Sequence, residues 1–179
     1  MPWTLFDSSL GTCGVAWSDK GLTWVQLPER TAEATRARLL TKAPAAGDRV
    51  TPEAIPAWVA EAIALAREHL AGRPQDLSAV PLDLSGISPF VANVYRALQK
   101  VPPGKTVTYG ELARIVGSAG AARAIGRAMA TNPVPLFVPC HRVLAAGRKP
   151  GGFSAYGGIL TKERLLALEG KSAATLLLF

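Results

Sequence analysis

Pro139-Cys140-His141-Arg142-Val143 sets a thiol, an imidazole and a guanidinium on consecutive residues. A thiol is a strong nucleophile only as the thiolate, which forms beside a proton acceptor or a positive charge. His141 and Arg142 offer one of each. The apolar run Val134-Pro135-Leu136-Phe137-Val138 leads into the motif, and Pro139 ends any strand there. Cys140 therefore reads as a candidate nucleophile. Cys13, inside a strand-like segment, reads as a small buried apolar filler. Adjacent side chains of a regular strand face opposite ways, so Cys140 and His141 cooperate only across a turn or a bridging water. Two more residues are candidates for the same site. Glu169 is one of only three acids after residue 100, and either orients His141 or sits exposed at a helix end. Asn132, before Pro133, either shapes a turn or braces the cysteine loop.

The charge distribution says what the thiolate would act on. Residues 1–99 carry 9 Lys+Arg and 10 Asp+Glu, whereas residues 100–179 carry 11 and 3. The whole excess of +7 thus lies in the reactive half. Nucleic acid is the commonest partner of such a half, because each phosphate contact releases counterions; simple solubility is the competing reading. Two short predicted helices, Tyr109 to Val116 and Ala121 to Thr131, flank the turn Gly117-Ser118-Ala119-Gly120 and suggest a helix-turn-helix. The second helix has Ala121, Ala124, Ile125, Ala128 and Met129 on one face. Arg123 and Arg127 lie four residues apart on the other, beside the small residues Ala122 and Gly126. That face is either merely solvated or shaped to lie against a phosphate backbone.

Other elements must position these groups. Strands are predicted at Trp3-Phe6, Cys13-Trp17 and Leu22-Gln26, a helix from Glu29 to about Thr41, and another from Thr51 to about Ala71. Residues 75–88 read as a link. Ser88-Pro89 opens a helix that buries Phe90, Val91, Val94 and Leu98, and Thr161 to Glu169 forms the last one. Leu176-Leu177-Leu178-Phe179 either packs on the core or stays loose. The expected division is 1–84, α/β, and 85–179, mostly α with the helix-turn-helix. With only Cys13 and Cys140, no disulfide framework is expected. The spacings Cys13 to His69 and Cys140 to His141 match no common zinc pattern, so neither metal nor cofactor is expected. Met1-Pro2-Trp3 does not open like a signal peptide and no apolar run reaches membrane length, so the expected location is the cytoplasm.

Taken together, residues 88–170 resemble the C-terminal domain of the O6-alkylguanine-DNA alkyltransferases. The matching stretches are Tyr109-Gly110-Glu111-Leu112-Ala113, Ala121-Ala122-Arg123-Ala124-Ile125-Gly126, Asn132-Pro133-Val134-Pro135 and Pro139-Cys140-His141-Arg142-Val143. Gly157-Gly158, Lys162, Leu165-Leu166 and Glu169 complete them. The N-terminal half matches more loosely, through Leu10-Gly11-Thr12 and Asp19-Lys20-Gly21-Leu22. The resemblance implies a ribonuclease-H-like N-terminal domain and a winged-helix-like C-terminal one. It implies a monomer that binds alkylated double-stranded DNA through the minor groove. Cys140 would accept the alkyl group of O6-alkylguanine, with O4-alkylthymine a related lesion, and each molecule would act once. His141, through a water, and Glu169 would form the thiolate, and Asn132 would hold the active-site turn. Arg123 would fill the gap left by the flipped nucleotide, and Tyr109 would contact the base. Arg127, Ala122 and Gly126 would line the DNA face. Backbone groups of Cys140 and Val143 would read the guanine, and Ser154 and Tyr156 would form the lid. One departure stands out: many members have a small residue between that tyrosine and the glycine pair, whereas Tyr156 directly precedes Gly157. The competing readings are a lesion-binding relative that transfers nothing, which would lack the cysteine, a cysteine hydrolase using Cys140 and His141, and a plain transcriptional regulator.

Overall fold

The computed structural model describes residues 1–43 and 47–171. The C-terminal apolar run lies outside the described residues. Trp3–Ser8 (β1), Gly11–Ser18 (β2) and Gly21–Gln26 (β3) form an antiparallel sheet in the order β1-β2-β3. Two helices follow, Ala32–Lys42 (α1) and Ala57–Leu70 (α2). α1 starts later than its pattern predicts because the Thr31 side chain caps it, accepting from the Ala34 N–H. α2 also starts late. Pro52–Ala54 is an isolated 3-10 turn, and Ile55 is held extended by the proline after it. The helix ends at Ala71, where Gly72 takes a φ of +79°.

The link does not run free. The Leu22 N–H donates to Pro81 O and the Asp83 N–H to Leu22 O, so the chain after Val80 lies along β3. Beyond it come Pro89–Gln99 (α3), Val107–Thr108 (β4), Tyr109–Ile115 (α4), Ala122–Ala130 (α5), Val143–Leu144 (β5) and Ile159–Leu168 (α6). β4 and β5 pair in parallel. A Thr108–Glu111 capping box starts α4. Tyr95 on α3 donates to Ala128 O on α5 at 2.7 Å, which locks the helix pair onto α3. Within α3, Ala92 and Tyr95 are buried with Val94 and Leu98, whereas Phe90 and Val91 are only half-buried. On α4, Leu112 and Ala113 are buried and Ile115 is 59% exposed. One apolar core runs from Phe6, Val15 and Leu70 through Tyr95 and Ile125 to Leu165. No helix of the described residues is long and apolar enough to cross a membrane.

Candidate active site

The cysteine loop is built between the two sheets. Asn132 Nδ2 donates to Val138 O at 2.8 Å and Asn132 Oδ1 accepts from the Val134 N–H at 3.1 Å. One amide thus closes the loop at both ends. β3 holds it from outside, because the Val25 N–H donates to Pro133 O at 2.8 Å. Inside the loop Leu136 takes a φ of +77°, a conformation leucine rarely adopts, while its side chain is buried. Cys140–Arg142 then form a single 3-10 turn. That turn, not a strand, carries Cys140, His141 and Arg142 in three different directions.

Cys140 is buried at the base of two adjoining cavities of about 220 and 270 Å³. Asn132 lines the first; Tyr109, Gly126 and Met129 line the second; Phe153 and Ser154 line both. Burial pushes the Cys140 thiol up, against the pull of the Asn132 amide and the Lys162 charge. Burial thus favours the neutral thiol over the thiolate. His141 is fully buried, and its Nε2 lies 2.8 Å from Glu169 Oε1. Burial would raise the Glu169 carboxyl, but hydrogen bonds from His141, His69 and Arg142 outweigh it and hold the group well below the carboxylate range. An ionised carboxylate only accepts, so Nε2 of His141 donates. In the neutral ring favoured by desolvation, Nδ1 is then an acceptor, and it has no hydrogen-bond partner among the described residues.

The cation beside Cys140 is not the one its spacing predicts. Arg142 turns away: its Nη2 lies 2.7 Å from Glu169 Oε1, its Nε 3.1 Å from both carboxylate oxygens, and its Nη1 donates to Val101 O. Lys162, entirely buried on α6, takes that place; its ammonium is brought down to about 8 by burial, against the opposing influence of Cys140. Its Nζ donates to Val143 O at 2.6 Å. The same bonds bear on what Val143 has left to offer a base. Its N–H donates to Cys140 O and its carbonyl serves Lys162, which leaves one carbonyl lone pair for a ligand.

Arg123 and Arg127 project from the exposed side of α5 and make no hydrogen bond or ion pair with the described residues, while Ala122 and Gly126 are half-buried beside them. Tyr156 does not join the cavity. It is 51% exposed and lines neither space; Trp24 lines the first, Tyr109 the second, and Phe153 both. The glycine pair after it has a different use from close approach to a ligand. Gly157 and Gly158 have φ of +83° and +54°, and a Cβ on Gly157 would meet Thr161 Oγ1 at 2.4 Å. They let the chain turn into α6, which carries Lys162. His69, in sequence no more than a zinc-ligand candidate, places its Nε2 2.9 Å from Glu169 Oε1. Separated by 100 residues from Glu169, it left no signal in any local motif. His69, His141 and Glu169 are also the one described set of side chains close enough to share a metal ion. Arg142 already supplies positive charge to that carboxylate.

This constellation has relatives. A protein of Mycolicibacterium paratuberculosis named methylated-DNA--protein-cysteine methyltransferase is 38% identical over 97% of this chain and 95% of its own length. The chain belongs to the methylated-DNA--protein-cysteine methyltransferase family. The Mus musculus methyltransferase of the same name is 35% identical over 95% of this chain and 82% of its own. The crystal structure of Mycobacterium tuberculosis OGT in complex with DNA covers all of both chains with a TM-score of 0.75 at 32% identity. The family model for the 6-O-methylguanine DNA methyltransferase DNA binding domain matches residues 89–171. That methyltransferase segment starts at the first residue of α3 and contains Cys140, His141, Lys162 and Glu169, but not His69.

Proposed function

We propose that this protein repairs DNA by moving the alkyl group of O6-alkylguanine onto Cys140, once per molecule. The observation that carries the reading is the buried thiol beside a histidine whose Nε2 is committed to Glu169 and whose Nδ1 has no hydrogen-bond partner among the described residues. Cys140 gives its proton to Nδ1, through a water. The thiolate attacks the alkyl carbon in line, the C–O bond breaks, and its electron pair goes to guanine O6. Tyr109, whose phenol burial keeps protonated, donates toward that oxygen. The product is a thioether, whose carbon–sulfur bond is too stable for a side-chain nucleophile to cleave.

A stacked base offers no in-line path to this carbon, so the nucleotide rotates into the cavity above Cys140. Arg123 fills the gap, Arg127 meets phosphate, and Ala122 and Gly126 admit the backbone to α5 in the minor groove. Ser154 and Phe153 close over the base, with Tyr156 at the rim, and Asn132 keeps the loop shut. In this reading residues 1–84 form a ribonuclease-H-like unit and 85–179 a winged-helix-like unit. The protein acts as a monomer in the cytoplasm, wherever DNA is exposed to alkylation, and O4-alkylthymine is a second substrate to assay.

The test is stoichiometry. Incubated with excess O6-methylguanine duplex, the protein should remove one methyl group per molecule, and peptide mapping should find it on Cys140. Continued turnover, or a methyl group elsewhere, would overturn the reading.

A further inference from the structure

His69 lies near the C-terminal end of α2, outside the segment that carries the reacting groups, and is completely buried. Because Glu169 is ionised and only accepts, the contact of 2.9 Å to His69 Nε2 requires that nitrogen to donate. Its Nδ1 lies 3.1 Å from Gln75 N and 3.2 Å from Gln75 O. The backbone just beyond α2 thereby holds the far edge of the His69 ring, while Glu169 holds Nε2 of both imidazoles. Two imidazoles and a guanidinium converge on Oε1, while Gly104 N–H and Arg142 Nε reach Oε2.

This crowding decides where Oε1 points. Arg142 already touches both oxygens, and a carboxylate left to it alone settles into a symmetric two-point fork. Such a rotation draws Oε1 off the His141 ring. His69 pulls the same oxygen from the opposite element and keeps it where His141 needs it. We infer that His69 is a positioning residue for the transfer reaction, through which the N-terminal unit holds the Glu169–His141 pair in register. The inference rests on the reading of Cys140 as the alkyl acceptor.

The full chain is tested as wild type, His69→Phe, His69→Gln, Glu169→Gln and the His69→Phe/Glu169→Gln double variant. Three quantities are read: duplex Kd, the first-order methyl-transfer rate at saturating O6-methylguanine duplex, and the rate of Cys140 alkylation by iodoacetamide. For His69→Phe, Kd should stay within about twofold, and both rates should fall roughly tenfold, the coupling expected of residues in one hydrogen-bond network. His69→Gln keeps a donor at the right reach and should recover to within about threefold of wild type. In the Glu169→Gln background, His69→Phe should slow nothing further. Wild-type rates for His69→Phe, equal losses for Phe and Gln, or an undiminished loss in the Glu169→Gln background would each overturn the inference. Should the Phe variant not fold, His69→Asn, whose amide is too short to reach Oε1, must be slow where His69→Gln is fast. The iodoacetamide rates separate this idea from the function itself. If wild type fails on DNA but is alkylated tenfold faster than His69→Phe, the repair reading falls and the positioning role stands.

Discussion

The turn around Cys140 and the outer face of α5 are neighbours built on opposite terms. At the turn almost every polar group has a fixed partner: Glu169 is gripped by His69, His141, Arg142 and Gly104, and Lys162 by Val143. On α5, Arg123 and Arg127 are exposed and have no ion-pair partner among the described residues. The buried set must not reorganise when the reaction starts, since reorganisation would cost what preorganised charge gains. The exposed set has its partners still to come, and intramolecular ion pairs there would have to be broken first. Substitutions at the turn should therefore change rate and stability, and substitutions on α5 should change grip.

The largest effect expected is at Cys140. Cys140→Ser should abolish methyl transfer to below detection and leave duplex binding within about twofold by gel shift, because α5 is untouched. Loss of both would join the two regions that the comparison separates. Glu169→Gln comes next. It leaves Arg142 buried without its counter-charge, and chemical denaturation should show a loss of about 3–5 kcal/mol. The pH dependence follows from the same network. Glu169 ionises far below its ordinary 4.5 in the fold, so its contribution is complete above that value and is lost as pH falls beneath it. His141 is depressed below its ordinary 6.5, so acid also favours the unfolded chain from about there downward. Unfolding free energy should decline below pH 6.5 and more steeply below 4.5, and Glu169→Gln should lose the steeper part.

On α5 the expected effects are smaller and differently placed. Arg123→Ala should slow repair in duplex DNA on the order of tenfold and leave reaction with free O6-benzylguanine nearly unchanged. Equal slowing of both would move Arg123 into the chemistry. Arg127→Ala should weaken binding of all sequences alike and lower the salt slope of the association constant by about one. Smallest of all, chelator should alter neither rate nor melting temperature, since Arg142 already balances the charge of the only described carboxylate a metal could share with two histidines. Zinc lost together with activity would show that the ion pair yields to a metal.

Sequence made the reactive pair legible because Cys140 and His141 are adjacent and proline-bounded. Glu169 stood out through the scarcity of acids after residue 100. Arg123 and Arg127 were readable from helical spacing alone, and α5 presents them as that spacing requires. Direction was less legible than identity. A 3-10 turn rotates successive side chains by about a third of a circle, so Arg142 faces Glu169 and Lys162, from a helix that starts later, takes the place beside the thiol. Tyr156 carried the aromatic signal, but the glycines after it serve the entry into α6, and Phe153 reaches the cavity instead. His69 was invisible in its role because its meaning lies wholly in a contact across 100 residues. In the fold, periodicity found the helices and misplaced their starts, where single prolines and caps outweigh pattern.

The hydrogen bond from Val25 to Pro133 has a consequence for solubility. β3 is an outer strand, and such strands invite pairing with other molecules. Here its donors at Leu22 and Val25 end on the carbonyls of Pro81 and Pro133, residues with no N–H to extend a ladder. The cysteine loop is thus also a cover for a sticky edge. Anything that springs the loop open, a bulky adduct on Cys140 or loss of the Asn132 clasp, uncovers a strand ready to associate. A spent or damaged molecule would announce itself first by clumping, not by a quiet loss of repair.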